Sequence, residues 1–482
     1  MPRHGWATTS TVGVLDRVVR EAARRFGDAI AFVGVDGTPL TYRQLDRLSD
    51  EGAAGLARRG IGLGDVVGLA LPSILEYVVA YASAAKLGAI TAGVNNRLTP
   101  AERTAALERA EPTLVIETPG ELPLELGEVP PELPDDPERP VAIVFSSGTS
   151  GAPKPALFAG RQLAAIAHID IGSVWGTGGR TMASTSFAHV GFTTKLPWYL
   201  MTGGTVYLMD RWRPEPALQL IDRVGITSLG GVPPQLALLL AQPDFDTYDV
   251  STVATIVLGG GPATPNLLRE GASRFGAAIS LRYSSTESGG VGTGTAFDAP
   301  PDEAWASVGR GRGGIEVTIR DEDDRVLDPE EIGRICLRTP AAMSGYWRDA
   351  TATAAAFCAD GSLRMGDLGW LDPTGCLHVA GRADDAYLRG GYNVHPQEVE
   401  AVLAGHPAVA QIAVVGRPDP VLGEIGVAFV VPRPGPPPQL ADLRAFAANQ
   451  LAAYKLPDRL ELVGALPLTA MDKLDRSALK QG

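Results

Sequence analysis

The spacing of apolar residues near the start of the chain changes from a helical pattern to an alternation of helices and strands. Residues 12–26 predict an amphipathic helix whose apolar face is formed by Val12, Leu15, Val18, Val19, Ala22 and Phe26. A second helix is predicted from Thr41, which can form a capping box with Gln44, to Gly60. Short apolar strands and helices then alternate as far as residue 117. This alternation indicates βαβ units and a layered α/β sheet.

Later segments change in character. Residues 118–140 are rich in proline and acidic residues and predict a surface loop, after which the βα alternation resumes until about residue 300. From residue 315 to about 380, short strands and turns predict a β-rich subdomain. The last hundred residues combine a helix near 396–403, two strands and a helix near 440–451. We therefore expect a large N-terminal α/β domain with a β-rich subdomain, followed by a small α+β domain.

Composition narrows the class of protein. Of the 482 residues, 45% are hydrophobic and 20% are charged, as in an ordinary globular protein. The net charge of −13 argues against nucleic-acid binding, which needs a basic face. Three scattered cysteines indicate reduced thiols, and the first ten residues lack the apolar core of a signal peptide. We therefore expect a cytoplasmic protein. The apolar stretch 66–94 contains Pro72, Glu76 and Lys86, which predicts a buried helix and not a membrane span.

A strand that ends in a loop of small polar residues is the first candidate for chemistry. The apolar run 141–145 is followed by the candidate phosphate-binding residues Ser146, Ser147, Gly148, Thr149, Ser150, Gly151 and Lys154. Glycines allow tight backbone turns, and hydroxyls with one lysine can surround a polyphosphate. The segment is not a Walker A loop, because it lacks GK[ST] and no helix start follows. Taken alone, it could also be a flexible Ser/Gly linker.

The segment FSSGTSGAPK resembles the phosphate loop of the adenylate-forming superfamily, which includes acyl- and aryl-CoA ligases, luciferases and nonribosomal peptide adenylation domains. Pro155 stands where that family usually has glycine. Further elements follow in family order across residues 145–476. They are GGGP at Gly259–Pro262, YSSTE at Tyr283–Glu287, MGDLG at Met365–Gly369, the segment Gly381–Glu400 and the terminal segment around Lys473.

The resemblance implies roles around a nucleotide. Gly259, Gly260 and Gly261 would form the wall against which adenine packs, because the absence of side chains lets a flat base approach the backbone. Tyr283 would stack on adenine, and Ser284 replaces the usual glycine beside it. Thr286 would contact the α-phosphate. Glu287 would ligate Mg²⁺, which prefers one or two carboxylates together with phosphate oxygens.

The same resemblance extends into the C-terminal region. Asp367 would accept the ribose hydroxyls, with Met365 in place of the usual threonine, and Arg382 would contact ribose or phosphate. The implied domains are residues 1–380, a hinge at 381–384 centred on Asp384, and a mobile domain at 385–482. Gly390 and Gly391 would let a loop pass the pantetheine channel. Lys473 would be the catalytic lysine, although Asp472 stands where glycine is usual.

His189 resembles the histidine that borders the acyl pocket and thiol channel in this family; considered alone, it could be an ordinary packed or exposed residue. Ala188 precedes it, where amino-acid-activating domains usually carry an aspartate, which argues against an α-amino acid substrate. The glycines of residues 284–295, together with Gly191 and Gly259–Gly261, predict space for a medium or bulky hydrophobic acid.

The expected activity is therefore ATP- and Mg²⁺-dependent formation of an acyl-AMP, followed by thioester formation with coenzyme A. Three alternatives stay open at this point. The acceptor could be a carrier protein or an amine. The chain could be a P-loop NTPase or kinase. It could also be a degenerate binding protein, given Asp472, Pro155 and Arg334, the last of which replaces the usual glutamate.

Overall fold

The computed structural model describes residues 14–146, 153–183, 185–209, 211–382, 385–389, 392–469 and 473–481, except for the side chains of Arg382, Asn393 and Gln481. The helices are α1 Leu15–Phe26, α2 Tyr42–Arg58, α3 Leu75–Leu87, α4 Pro100–Ala110, α5 Gly160–Ile171, α6 Val190–Thr193, α7 Leu196–Thr202, α8 Pro214–Val224, α9 Pro233–Leu240, α10 Pro265–Phe275, α11 Pro301–Ala306, α12 Ala350–Ala356, α13 Pro396–Leu403, α14 Leu440–Ala447 and α15 Arg476–Gln481. The strands of the first half are β1 Ile30–Val33, β2 Pro39–Thr41, β3 Val66–Leu69, β4 Ile90–Gly93, β5 Leu114–Ile116, β6 Pro140–Phe145, β7 Pro155–Ala159, β8 Arg180–Met182, β9 Thr205–Tyr207, β10 Ser228–Gly231, β11 Thr255–Gly259 and β12 Ala278–Tyr283. The remaining strands are β13 Thr293–Gly294, β14 Arg310–Gly311, β15 Glu316–Arg320, β16 Gly333–Arg338, β17 Gly345–Tyr346, β18 Leu363–Leu371, β19 Leu377–Arg382, β20 Tyr387–Arg389, β21 Tyr392–Val394, β22 Val409–Asp419, β23 Gly423–Pro432 and β24 Arg459–Leu462.

Two large sheets and one small sheet build the N-terminal domain. Within the described residues, the first large sheet has the order β14-β13-β12-β11-β10-β8-β9-β1-β2, and the second has the order β17-β7-β6-β4-β3-β5. The small sheet has the order β15-β16-β18-β19. A further sheet, β21-β20-β23-β22 with β24 beside β23, belongs to the small C-terminal domain. The α/β fold class is thereby confirmed.

Local signals place the first helices where the sequence predicts them. Thr41 caps α2 and exchanges hydrogen bonds with Gln44, which is a complete capping box, and Thr99 does the same with Glu102 at α4. Helix α3 is buried along almost its whole length, in agreement with the interpretation of residues 66–94. The ammonium group of the fully buried Lys86 lies 2.6 Å from Asp46 and 2.9 Å from Asp50. Charge compensation inside the fold therefore explains the lysine in this apolar segment.

The β-rich subdomain is confirmed for β15, β16, β18 and β19, with one correction. Strand β17 lies within the predicted β-rich range but pairs with β7 of the six-stranded sheet, with Tyr346 opposite Ala156. This pairing joins residues that are 190 positions apart, so no local pattern could reveal it. It brings Tyr346 to the strand that leaves the predicted phosphate loop.

The small C-terminal domain is built on the antiparallel pair β22 and β23, against which α13 and α14 bury Val399, Leu403 and Leu443. The Arg476 guanidinium at the start of α15 donates to both carboxylate oxygens of Glu400 on α13, at 2.7 and 2.8 Å. In the part of the chain that the structure describes, no helix is both long and apolar enough to cross a bilayer.

Candidate active site

The site lies where parallel strands of the nine-stranded sheet end. Strands β8, β10, β11 and β12 run parallel, and Gly259 at the end of β11 is paired with Arg282 near the end of β12. His189 follows β8, Gly259–Gly261 begin at the last residue of β11, and Tyr283–Glu287 begin at the last residue of β12. In open α/β sheets, ligands bind at the carboxyl ends of the strands. The topology therefore gathers three of the predicted segments at one edge.

The predicted phosphate loop begins at the end of β6, in the six-stranded sheet. The backbone N–H of Ser146 donates to the carbonyl of Lys154 at 2.9 Å, which closes the base of the loop. The chain then continues as β7, antiparallel to β6, and not as a helix. This arrangement differs from a Walker A loop, as the sequence predicts. The predicted residues Ser147, Gly148, Thr149, Ser150 and Gly151 lie outside the described residues.

The two residues predicted to contact adenine and ribose touch each other. The Tyr283 hydroxyl donates to Asp367 Oδ2 at 2.7 Å, although Asp367 lies on β18 of another sheet. The Ser285 hydroxyl lies 3.8 Å from the sulfur of Met365, the methionine that replaces the usual threonine. Gly260 has a φ of +77°, which a residue with a side chain rarely adopts. Ser284 and Thr286 are half-buried beside them.

The predicted metal ligand Glu287 is oriented by Tyr346, which sequence analysis missed. The Tyr346 hydroxyl donates to Glu287 Oε1 at 2.8 Å. Burial and the adjacent Glu287 carboxylate raise the pKa of Tyr346, so the phenol stays protonated and remains a donor. No described residue pairs with the other carboxylate oxygen of Glu287. One oriented, unpaired carboxylate oxygen fits Mg²⁺, which takes few protein ligands and completes its shell with phosphate and water.

Lys154 lies on the other side of the same tyrosine. Its ammonium group is 5.3 Å from the centre of the Tyr346 ring, and its side chain is exposed beyond the loop. Tyr346 thus lies between the lysine predicted to contact phosphate and the carboxylate predicted to bind metal. In the sequence, the one sign of this role is that a tyrosine stands within MSGYW. Nothing in the neighbouring residues distinguishes it from a tyrosine that only packs in the core.

Lys473 of the C-terminal domain approaches the N-terminal site. A Cβ atom added to Gly260 would lie 3.4 Å from Lys473 Cε and 3.8 Å from Nζ. The loop that carries the lysine is closed by Thr469, whose backbone N–H donates to the Lys473 carbonyl at 2.7 Å. The charge of Lys473 also acts on His189. His189, Gly260 and Lys473 are therefore neighbours, although they are at least 71 positions apart in the chain.

His189 is the N-cap of α6. Its Nδ1 accepts a hydrogen bond from the backbone N–H of Gly191 at 3.3 Å, which places the proton of the neutral ring on Nε2. Burial, and secondarily the Lys473 charge, lower the pKa of His189 to about 3. The imidazole is therefore neutral at physiological pH. Phe187 and Phe192 stack beside it with ring centres 3.6 Å apart, which forms an apolar wall.

The glycines after Tyr283 do not all leave open volume. This finding corrects the prediction that the glycines of residues 284–295 leave space for the acyl group. A Cβ atom at Gly289 would lie 2.5 Å from Ile166 Cδ1, and one at Gly292 would lie 2.3 Å from the Tyr283 carbonyl oxygen. These positions are filled by close packing. At Gly290 and Gly191, by contrast, a Cβ would meet its nearest neighbours at 3.4 and 3.5 Å. At these two positions a Cβ atom would therefore make ordinary contacts without a clash.

Four further predicted residues cannot be placed in this geometry. Asp384 and Gly391 lie outside the described residues, and so does the neighbouring Gly390. The backbone of Arg382 is described and pairs with Asp367 across β18 and β19, but its side chain is not described.

The fold and this site define the class of adenylate-forming enzymes. A family model described as AMP-binding enzyme matches residues 19–347, and a model of the AMP-binding enzyme C-terminal domain matches residues 398–473. The chain belongs to this family and is an adenylate-forming ligase.

Characterised relatives differ in their acids and acceptors. The chain is 32% identical over 481 residues to the fatty acid–[acyl-carrier-protein] ligase ScoC of Streptomyces coeruleorubidus, with 92% of each protein covered. It is 30% identical over 473 residues to the feruloyl-CoA synthase of an Amycolatopsis species, covering 92% of this chain and 94% of that protein. The anthranilate CoA ligase AuaEII in complex with anthranoyl-AMP superposes with a TM-score of 0.88 at 25% identity, covering 97% of this chain and 96% of the other.

Proposed function

We propose that this chain activates a medium or bulky hydrophobic carboxylic acid as an acyl-AMP and then transfers the acyl group to coenzyme A. The observation that carries the proposal is the approach of Lys473 to Gly260 and His189. A single cation from the small domain lies beside the strand ends where the nucleotide and the acid would meet. That position suits stabilisation of negative charge as the carboxylate attacks the α-phosphorus.

The roles of the site residues follow from their partners. Tyr283 and Asp367 offer a ring face and a carboxylate for the nucleoside, and Thr286 is available to the α-phosphate. Glu287, held by Tyr346, would hold Mg²⁺, which supplies charge neutralisation at the phosphates when it is bound. The carboxylate oxygen forms a bond to the α-phosphorus, the bond to pyrophosphate breaks, and Lys473 offsets the charge that develops.

The second half-reaction requires space for a thiol. We propose that the small domain rotates about the hinge at residues 381–384 and withdraws Lys473, so that the thiol sulfur can attack the acyl carbon. The C–S bond forms, AMP leaves with the bonding electrons, and the thiol proton passes to solvent or to a nearby base. His189 borders the acyl group in this arrangement, and the Nε2–H of its neutral ring can donate a hydrogen bond.

The choice of a hydrophobic acid rests on the wall beside His189. Phe187, Val190 and Phe192 are buried there, and Tyr199 lies 5.6 Å from Phe192 between ring centres. Ala188 offers no carboxylate for an α-ammonium group. An acyl site lined by these apolar side chains would favour alkyl, aryl or polycyclic acids over acetate and amino acids.

Acid-dependent ATP–pyrophosphate exchange tests the first half-reaction. We expect exchange with octanoate, a benzoate and a polycyclic acid, and little with acetate or glycine. A clear preference for acetate would refute the hydrophobic pocket. Release of ADP or phosphate, without exchange, would point instead to an NTPase or kinase, and no turnover with any acid would indicate a degenerate protein.

The acceptor needs a separate assay. The 32% identity to a ligase that uses an acyl carrier protein supports a carrier protein as the second candidate. Preformed acyl-AMP should be offered with coenzyme A, with a phosphopantetheinylated carrier protein and with a simple amine. Faster thioester formation on coenzyme A is the expected result, and a faster reaction on the carrier protein would replace coenzyme A in the proposal.

A further inference from the structure

A positively charged cavity lies beside strand β12, away from the predicted nucleotide site. It has a volume of about 330 Å³ and is lined by Ile169, Arg282, Gly294, Thr295, Ala296, Glu303, Arg310, Gly311, Arg312 and Gly313. Adjacent residues of a strand point to opposite faces, so Arg282 lies on the face of β12 opposite to Tyr283. The cavity is therefore distinct from the site that contains Tyr283 and Asp367.

Most charges around the cavity are compensated inside the protein. Arg310 is paired with Glu303 and also donates to the carbonyl of Thr374 at 3.1 Å. Arg312 and Lys195 share one carboxylate, Asp170, at 2.9 and 2.6 Å. The pair of Arg310 and Glu303 is neutral. The group of Arg312, Lys195 and Asp170 retains one positive charge.

Arg282 is the exception. Among the described residues, no carboxylate or carbonyl oxygen accepts a hydrogen bond from its guanidinium, and its nearest aromatic ring, Phe297, is centred 5.8 Å away. Burial, with the charge of Arg312 as a second cause, lowers the pKa of Arg282 to about 10. A half-buried cation without an acceptor is unfavourable, because its lost hydration is not replaced.

The guanidinium is nevertheless held over the cavity. Arg282 is paired with Gly294 across β12 and β13, and a Cβ atom at residue 294 would lie 2.2 Å from its Nη1. The glycine therefore leaves the space that this side chain occupies. The lining of the cavity contains three arginines and one glutamate and so carries two positive charges, in a chain whose net charge is −13.

We propose that this cavity binds the phosphate group of a small metabolite. A phosphate ester carries about −1.5 to −2 charges at neutral pH, which matches the surplus in the cavity. Its oxygens accept hydrogen bonds from guanidinium groups in a planar fork, which supplies the acceptors that Arg282 lacks. The volume exceeds that of one phosphate ion and leaves room for the rest of a small molecule.

Binding is tested by calorimetry with inorganic phosphate and pyrophosphate, in low-salt buffer with the nucleotide site filled by a non-hydrolysable ATP analogue. We expect one site per chain and a loss of affinity of about tenfold or more in Arg282→Gln, because the variant loses a hydrogen bond from a charged group to the anion. Gly294→Ala keeps the charge but displaces the guanidinium, so it should weaken binding as well. Arg325→Gln removes an exposed arginine and is the matched control, which should bind like the wild type.

A second measurement separates this role from a structural one. Without added anions, Arg282→Gln should unfold at the same temperature as the wild type or a higher one, since it removes an unsatisfied cation. Phosphate should raise the unfolding temperature of the wild type and of Arg325→Gln, but not that of Arg282→Gln. No binding by the wild type, equal binding by Arg282→Gln, or tighter binding of succinate than of phosphate would overturn the proposal. None of these readouts depends on acid activation.

Discussion

The large and the small domain hold their site residues in different ways. In the large domain, polar groups from separate sheets hold each other, as Tyr283 does with Asp367 and Tyr346 with Glu287. In the small domain, Lys473 lies on a short loop closed by Thr469, and the chain just beyond it is tied to the domain body by Arg476. A side chain fixed by distant partners cannot move alone, whereas a loop anchored within its own domain moves with that domain. The difference suits a fixed substrate platform and a cation that can be brought and withdrawn.

The largest expected effect comes from removing the cation that the small domain delivers. Lys473→Ala should reduce acyl-AMP formation by about a hundredfold to a thousandfold, the usual effect of losing one group that stabilises transition-state charge. Thioester formation from supplied acyl-AMP should be largely spared if, as proposed, rotation of the small domain withdraws the lysine before that step. Pyrophosphate exchange and a single-turnover thioester assay measure the two halves separately.

The matched control is Lys480→Ala, an exposed lysine on α15. It should leave both half-reactions unchanged. If Lys473→Ala lost activity equally in both half-reactions, or lost none in adenylation, the proposal that the small domain supplies this lysine for adenylation alone would be wrong.

The anchor of the lysine loop should matter next. The Arg476 side chain is largely buried, donates to both oxygens of Glu400 and to the Val414 carbonyl, and lies 3.5 Å from Asp385 beside the predicted hinge. Arg476→Gln leaves the Glu400 carboxylate uncompensated and should destabilise the small domain by about 3 kcal/mol. Limited proteolysis and chemical denaturation should show unfolding that begins in the C-terminal domain.

The double variant Arg476→Gln/Glu400→Gln should recover part of this loss, since it leaves no buried charge alone. Arg325→Gln serves again as the control. If Arg476→Gln lowered adenylation without any loss of stability, the arginine would act on the reaction directly and not as an anchor.

Within the large domain, Glu287→Gln should raise the Mg²⁺ concentration required for exchange by about a hundredfold or more, because even groups that only orient a metal ligand contribute about 10–100-fold. The amide keeps the size of the side chain and can still accept the Tyr346 hydrogen bond. The Mg²⁺ concentration for half-maximal exchange is the measurement. An unchanged Mg²⁺ requirement with a lower unfolding temperature would make Glu287 a structural residue.

Tyr346→Phe should have a smaller effect in the same assay. It removes the 2.8 Å hydrogen bond to Glu287 but keeps the ring beside Lys154. We expect a shift of about tenfold in Mg²⁺ requirement with little change in the apparent affinity for the acid. A shift as large as that of Glu287→Gln would mean that the tyrosine contacts the substrate itself.

The smallest effect is a pH dependence of stability. The folded pKa of His189 lies near 3, below its ordinary value of 6.5, so below about pH 6.5 the unfolded chain binds a proton that the folded chain does not. Stability should therefore fall as the pH drops from about 6.5 towards 3. His189→Asn keeps an N-cap side chain and lacks this ionisation. Because the residue is half-buried, the difference should reach only about 1 kcal/mol.

Unfolding of the wild type and of His189→Asn at pH 8 and at pH 4.5 measures this difference. The variant should gain stability relative to the wild type at the lower pH. Parallel losses in both proteins would show that the imidazole is hydrated and titrates normally.

Much of the fold was predictable because its signals are local. The capping boxes at Thr41 and Thr99 and the helical spacing of residues 75–87 depend on neighbours within a few positions. Strand β17 lies within the predicted β-rich range but pairs outside that subdomain, and its partner, β7, lies about 190 residues earlier in the chain. Similarly, glycines at 289 and 292 predicted open volume, but Ile166 and the Tyr283 carbonyl fill the space around them.

The sequence by itself determined the family, the order of its elements and the residue types that a nucleotide site requires. Tyr283, Glu287, Asp367 and Lys473 stand in short segments whose composition carries their chemistry. Only the tertiary structure decided that Tyr346 orients Glu287, that Arg476 anchors the lysine loop, and that Arg282 faces a cavity without an acceptor. The physical reason is that a partner, or the lack of one, depends on which distant strands and helices meet, and chain spacing does not encode that directly.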